Sequence, residues 1–73
     1  MQLFMKAIFF NYQTEDESRE NIFESEIEVI PQIGDGVEFP YDGSIYYTKV
    51  VCVCHCFNLN SEFTHIDIEL DMF

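Results

Sequence analysis

The sequence predicts an all-β domain, with five strands that form a small barrel or a strongly bent antiparallel sheet. Eight phenylalanines and four tyrosines occur together with many isoleucines and valines, all of which are enriched in strands. Apart from a weak hint within residues 15–26, no segment has the periodicity of a helix. Short polar segments such as Y-D-G and N-L-N-S separate the apolar runs. We therefore expect strands at 2–12, 20–30, 36–40, 44–57 and 62–72.

Length and charge bound the class of protein. Seventy-three residues are enough for one domain, spanning 1–73, and the 48% of hydrophobic residues can form a core without a metal or cofactor. Fourteen acidic residues against three basic ones give a net charge of −11. Nucleic acids and anionic membranes bind basic faces, so direct binding of either is disfavoured. The charge favours a protein partner with a basic surface, which can itself be a nucleic-acid-binding protein.

The N-terminal run and the cysteines indicate a cytoplasmic protein. Lys6 interrupts the apolar run L-F-M-K-A-I-F-F, and no small-residue cleavage site follows, so we expect neither a signal peptide nor a membrane span. All three cysteines lie within residues 52–56, which does not suit a disulfide framework.

Side-chain alternation predicts the register of the first hairpin. Centred near residue 16, its inner face contains the pairs Phe9 with Phe23, Ala7 with Ser25, Met5 with Ile27 and Leu3 with Val29. On the other face Lys6 lies opposite Glu26, a favourable cross-strand ion pair. We interpret the acidic residues at the tip, Glu15, Asp16, Glu17 and Glu20, as solvated.

The same reasoning applies to the last hairpin, centred near residue 60. It places Val50, Cys52, Cys54 and Cys56 on the buried face, opposite Leu70, Ile68, Ile66 and Thr64. The outer face then contains the pairs Lys49 with Asp71, His55 with His65 and Phe57 with Phe63. In this register the cysteines are small buried hydrophobic residues.

A metal- or thiol-responsive site is the alternative interpretation of V-V-C-V-C-H-C-F. Its candidate ligands are Cys52, Cys54, Cys56, His55 and His65. Alternate residues of a strand lie about 6.5 Å apart, so their sulfurs diverge, whereas zinc requires four converging ligands. We therefore expect no bound metal, although a bulge near Cys54 would reopen the question. No acid-base or nucleophile constellation is recognisable, which disfavours an enzyme.

Three surfaces are candidates for partner binding. Outward acids form one row on the second strand, Glu24, Glu26 and Glu28, and another on the fifth, Asp67, Glu69 and Asp71. Their spacing resembles that of successive phosphates on one DNA strand, although solubility and edge protection also explain such rows. A predicted apolar patch comprises Val51, Val53, Phe57 and Phe63. The first strand is apolar on both sides. This indicates either a homodimer interface or a central strand of a closed barrel, whose outer face is covered by a partner or by Met72 and Phe73.

Residues 30–50 carry a resemblance. I-P-Q-I-G-D-G-V-E-F followed by Y-Y-T-K-V resembles the Pro-x-hydrophobic-Gly-Asp-x-Val turn and tyrosine-rich strand of small uncharacterised bacterial and phage SH3-like β-barrel proteins. The closing I-D-I-E-L is similar, and about half of the chain is covered. The resemblance implies a bent five-stranded barrel in which Pro31 and Gly34 shape the turn, Asp35 caps it and Val37 enters the core. It implies no catalytic residue, and the cysteine stretch departs from it.

Together these observations favour a non-enzymatic, acidic protein-binding module. Its sharper form is a bacterial or phage accessory protein, or inhibitor, whose acidic face engages a basic partner by imitating DNA. The alternative is the metal- or thiol-responsive domain described above.

Overall fold

A computed structural model of the protein describes residues 4–12 and 19–71. These residues form five strands and no helix, which confirms the all-β prediction: β1 (Met5–Tyr12), β2 (Arg19–Ile27), β3 (Gly36–Tyr41), β4 (Ser44–Phe57) and β5 (Phe63–Asp71). Every predicted strand overlaps an observed one. A helix of the length and hydrophobicity needed to cross a bilayer does not occur in these ranges.

The strands form one sheet in the order β2-β1-β5-β4-β3, curled strongly into a half-barrel. Three of the four pairings are antiparallel hairpins between strands that follow each other in the chain. The fourth, between β1 and β5, is parallel, so the sheet is mixed rather than wholly antiparallel. β5 consequently lies in the middle of the sheet, while β2 and β3 form its two edges.

The core fills the concave face of the half-barrel. Phe23 of edge strand β2 stacks on Phe9 at 4.3 Å between ring centroids, and it contacts Phe39 of the opposite edge strand at 5.0 Å. Phe39 therefore connects the two edges by side-chain packing, because the edges themselves are not neighbours in the sheet. The buried hydrophobic residues are Ala7, Phe9, Phe39, Val50, Ile66, Ile68 and Leu70.

The register of the first hairpin is as predicted. Phe9 lies opposite Phe23, Ala7 opposite Ser25 and Met5 opposite Ile27. Lys6 lies opposite Glu26, but its Nζ is nearest to Glu24, with 3.7 Å to Oε2. A bulge follows Phe9. Leu3 and the acidic tip at 15–17 lie outside the described residues. Val29, the expected partner of Leu3 on the inner face, lies beyond the end of β2 and is 80% exposed, so its predicted burial is wrong.

The turn before β3 has the predicted construction. Gly34 adopts a φ of 94°, which favours glycine. Asp35 caps the turn, because its Oδ2 accepts a hydrogen bond of 2.8 Å from the Gln32 amide. The turn also binds β4, since the Gly34 amide donates to the Val50 carbonyl and the Val50 amide donates to the Asp35 carbonyl. Val37 follows and packs against the core.

A bulge in β4 changes the register predicted for the last hairpin. Lys49 still pairs with Asp71, Val50 with Leu70 and Phe57 with Phe63, but the register shifts between Val50 and Cys52 and again after Cys56. The pairs between the shifts are Cys52 with Glu69, Val53 with Ile68, Cys54 with Asp67, His55 with Ile66 and Cys56 with His65. The predicted pairs of the cysteines with Ile68, Ile66 and Thr64, and of His55 with His65, are therefore wrong.

This bulge also overturns the prediction that the cysteines are buried. An extra residue in one strand reverses the faces of all residues that follow it. Val53 accordingly packs against the core, whereas Cys52 and Cys54 are exposed and Cys56 is half-buried. Val53 therefore packs into the core opposite Ile68, and the three cysteine side chains lie on the convex face.

The outer side of β1 is apolar, as the sequence predicts. Ile8 and Phe10 are half-buried there, while Phe4 is exposed. Met72 and Phe73, the expected cover for this side, lie outside the described residues. β1 occupies an interior position between β2 and β5.

Phe39 should be the residue on which closure of the half-barrel depends most. Phe39→Ala removes a side chain that is 4% exposed and contacts Phe23, Tyr41 and Tyr46, so we expect a loss of about 3–5 kcal/mol in the free energy of unfolding. Urea denaturation followed by circular dichroism measures it, with Phe39→Leu as a milder variant should the alanine variant not fold. Tyr47→Ala, on the neighbouring strand but 78% exposed, is the matched control and should change stability little. Equal losses for both variants would contradict the packing described above.

Candidate functional site

The convex face of the sheet brings together the two predicted rows of acids. Ile8 of β1 lies between Glu24 of β2 and Asp67 of β5, since it pairs with both residues. Phe10 pairs with Glu69 in the same way. Both rows therefore lie on the same face, separated by β1 and hence by two strand spacings, or about 9.5 Å.

The two rows differ in burial. On the β2 side, Glu24, Glu26 and Glu28 are exposed, Glu28 lying just after the end of the strand. On the β5 side, Asp71 is exposed, while Asp67 and Glu69 are half-buried between β1 and β4. The basic residues that pair with these rows in the described register are Lys6, opposite Glu26, and Lys49, opposite Asp71. The face as a whole is therefore strongly acidic.

The residues of the predicted apolar patch do not form one surface. Val53 packs against the core, and Val51 occupies the bulge. Phe57 and Phe63 remain together at the end of the last hairpin, where their rings meet edge to face at 5.8 Å and stay largely exposed.

The two histidines lie on opposite sides of the sheet. His55 pairs with Ile66 and lines a shallow depression beside the connection between β2 and β3, with Ile30, Pro31 and Ile33. His65 lies on the convex face opposite Cys56. The two histidines therefore cannot bind the same metal ion. Of these two candidate ligands, only His65 has its side chain on the face that contains the cysteine thiols.

Three side chains of different chemistry converge on the convex face. Sγ of Cys56, a ring nitrogen of His65 and a carboxylate oxygen of Asp67 all lie within 4.8 Å of one another. His65 and Asp67 are alternate residues of β5, and Cys56 lies across the ladder from His65. The side chains of His65 and Asp67 are only 29% and 14% exposed. This is a partly buried thiol, imidazole and carboxylate cluster on β4 and the central strand β5, close to the turn of the last hairpin.

Hydrogen bonds hold His65 in one orientation. Its Nδ1 lies 3.0 Å from the hydroxyl oxygen of Thr64, and that hydroxyl donates a hydrogen bond of 3.1 Å to the carbonyl of Cys56. Because the hydroxyl has only one proton to donate, its oxygen accepts from Nδ1–H. Nε2 is then directed at Asp67, whose Oδ1 is 3.0 Å away.

The surroundings of Cys56 keep its thiol protonated. Its pKa is raised above the ordinary value, first by burial, then by the negative charge and hydrogen bonding of Asp67, and then by Cys54. The Cys56 thiol also donates a long hydrogen bond, 3.7 Å, to the carbonyl of Cys54. A nucleophilic cysteine needs the opposite shift, so this arrangement does not activate Cys56 for attack.

Asp67 is the residue of the cluster that the sequence did not indicate as a candidate metal ligand, because it belongs to the acidic row of the fifth strand. Simple alternation along β5 already puts His65 and Asp67 on one face, so that pair was visible in T-H-I-D. Cys56 could not be added because the bulge at Val51 has no local signature in an apolar run.

Comparisons with protein-family models, with curated proteins and with solved structures each return no match to this chain.

The bulge predicts which thiols react in the folded protein. Under native conditions, iodoacetamide should modify Cys52 and Cys54 readily and Cys56 more slowly, since Cys56 is half-buried and its raised pKa leaves less thiolate at neutral pH. Site-resolved mass spectrometry over time measures the three rates. As the pH is raised, the rate of Cys56 modification should still increase at pH values where a free cysteine is already fully ionised, because the pKa of Cys56 is higher.

Asp67→Asn provides the matching variant for the thiol measurement. Removal of the carboxylate should lower the pKa of Cys56 and speed its modification at neutral pH, whereas Asp71→Asn, four residues away, should not. If all three thiols stayed unmodified until the protein unfolds, the exposure of Cys52 and Cys54 on the convex face would be contradicted.

Proposed function

We propose that the chain is a non-enzymatic interaction domain whose convex face binds a basic surface of a protein partner. The observation that carries this proposal is the presence of both acidic rows on one face, about 9.5 Å apart, with Ile8 and Phe10 between them. Sheet hydrogen bonds hold the backbones of the rows in place. Binding therefore orders fewer groups than it would with a flexible acidic tail.

Charge supports a partner of opposite sign. A net charge of −11 on 73 residues attracts a basic surface over about one Debye length, roughly 10 Å at 0.1 M salt, and raises the association rate. The face also offers apolar area, because Ile8 and Phe10 are half-buried between the rows. Such a combination suits a groove that has basic rims and an apolar floor.

The sharper proposal is that the partner is a nucleic-acid-binding protein and that the acidic rows occupy its phosphate-binding groove. Along each strand the acids recur about every 6.5–7 Å, comparable with successive phosphates of one DNA strand. Two such rows on a curved surface present charge on either side of a central strip, as a duplex groove does. Under this proposal the domain inhibits the partner by competition with DNA.

Cys56, His65 and Asp67 are not assigned a catalytic role in this proposal. The three groups are close enough to suggest a nucleophile and its base, but the pKa of Cys56 is raised by burial and by Asp67. This shift disfavours formation of the thiolate that a nucleophilic cysteine needs.

The acidic-face proposal predicts salt-dependent binding that depends on where the charges lie. A fluorescent decalysine peptide should bind, and its affinity should fall steeply as sodium chloride is raised. Glu24→Gln, Glu26→Gln and Asp71→Asn together should weaken binding about tenfold, since exposed ion pairs contribute about 0.5 kcal/mol each. Fluorescence anisotropy measures both effects.

A charge-matched control separates position from net charge. Glu38→Gln, Asp42→Asn and Glu62→Gln remove the same number of charges at exposed sites on β3 and in two turns. This control should retain most of the affinity. Affinity that ignores salt, or an equal loss in both triple variants, would refute a specific acidic face. In a second assay the wild-type domain should displace duplex DNA from a nonspecific DNA-binding protein, and failure to do so would reject the sharper proposal alone.

A further inference from the structure

We propose that Cys56, His65 and Asp67 form a zinc site on the convex face of the sheet. The proposal is independent of partner binding and rests on the convergence of three ligand atoms within 4.8 Å from two neighbouring strands. Zinc accepts thiolate sulfur, imidazole nitrogen and carboxylate oxygen. Calcium and magnesium prefer oxygen ligands alone, so the donor set selects a transition metal of zinc's type.

The distances are compatible with tetrahedral coordination. Zinc bonds of about 2.0–2.3 Å at tetrahedral angles place ligand atoms roughly 3.3–3.6 Å from one another. Nε2 of His65 and Oδ1 of Asp67 are 3.0 Å apart, and no pair in the cluster exceeds 4.8 Å. Small side-chain rotations therefore suffice to bring the three atoms to one ion without a change in the strands.

The hydrogen bonds of His65 are those of a metal ligand. A ligating histidine usually donates its second ring N–H to a neighbouring oxygen, which fixes the tautomer and directs the other nitrogen at the metal. Thr64 fills this role, since its hydroxyl receives Nδ1–H and is itself anchored to the Cys56 carbonyl. In the neutral ring with Nδ1–H bonded to Thr64, the lone pair lies on Nε2, the atom 3.0 Å from Oδ1 of Asp67. A metal cation bound between Nε2 of His65 and the Asp67 carboxylate would be attracted by both groups.

Binding would have two consequences for the domain. The ion would connect β4 with β5 across the outer side of the ladder, adding a cross-link to the pairing of Cys56 with His65. Zinc would also bring positive charge into the β5 acidic row, where Asp67 lies two residues from Glu69. Three protein ligands would leave the fourth position of a tetrahedral ion to water.

Cobalt(II) is the probe for this site, because its spectrum reports the ligands. Titration of the reduced full chain with Co²⁺ should give one equivalent of binding, a thiolate-to-metal charge-transfer band in the near ultraviolet and intense visible bands of tetrahedral geometry, all displaced by Zn²⁺. Cys56→Ser should abolish the charge-transfer band. His65→Gln and Asp67→Asn should each lower affinity about 100-fold or more, since outer partners alone account for about 10–100-fold.

Two further variants make the test specific. Thr64→Val keeps the side-chain shape but removes the hydroxyl that orients His65, and should weaken binding about tenfold. Cys52→Ser, an exposed cysteine of the same strand opposite Glu69, is the matched control and should bind as the wild type does. Urea denaturation in the presence of a chelator verifies that each variant is folded. Zinc should raise the Tm of the wild type and of Cys52→Ser by the same amount, that of Thr64→Val less, and that of Cys56→Ser least.

Three results would overturn the proposal. Co²⁺ binding without a charge-transfer band would mean that Cys56 is not a ligand of the metal. Equal losses in Cys52→Ser and Cys56→Ser would mean that the metal does not select this cluster. Absence of stoichiometric binding in the folded protein would end the proposal outright, without bearing on the acidic face.

Discussion

The bulge at Val51 is the constraint on which the two faces of the sheet depend. Before it, Val50 points into the core; beyond it, Val53 points inward and the cysteines point outward. One extra residue lets β4 supply a valine to the core opposite both Leu70 and Ile68. The interior thus keeps larger apolar side chains than three cysteines would provide, and the convex face receives polarizable thiols beside its acids.

β5 supplies two of the three side chains of the thiol, imidazole and carboxylate cluster. Its alternation is strict, with Ile66, Ile68 and Leu70 fully buried and the intervening residues on the convex side. As the central strand it is covered by neighbours on both edges, which explains why Asp67 and Glu69 are less exposed than the acids of β2. The same placement brings Asp67 within reach of Cys56 and His65. Core packing on one side of β5 therefore positions the polar chemistry on the other.

Much of this arrangement was accessible from the sequence, and the remainder has a physical reason. Alternation gave the register of the first hairpin and the pairs at both ends of the last one, because burial of one face tolerates no slip. The bulge was not predictable, since V-V-C-V-C is apolar throughout and either parity buries an acceptable face. Without the bulge, Cys56 could not be joined to His65 and Asp67. The parallel pairing of β1 with β5 has no local signal at all.

That parallel pairing sets the order in which the domain is completed. β1 and β5 are separated by most of the chain, so a ribosome that has released the first hairpin must still synthesise the last strand before the central ladder can close. Long-range pairing of this kind slows folding, because a large loop is ordered before its contacts form. Until then, the edge of β1 that β5 later covers is open to other chains. The central ladder of the domain can therefore close only after its last strand has been synthesised.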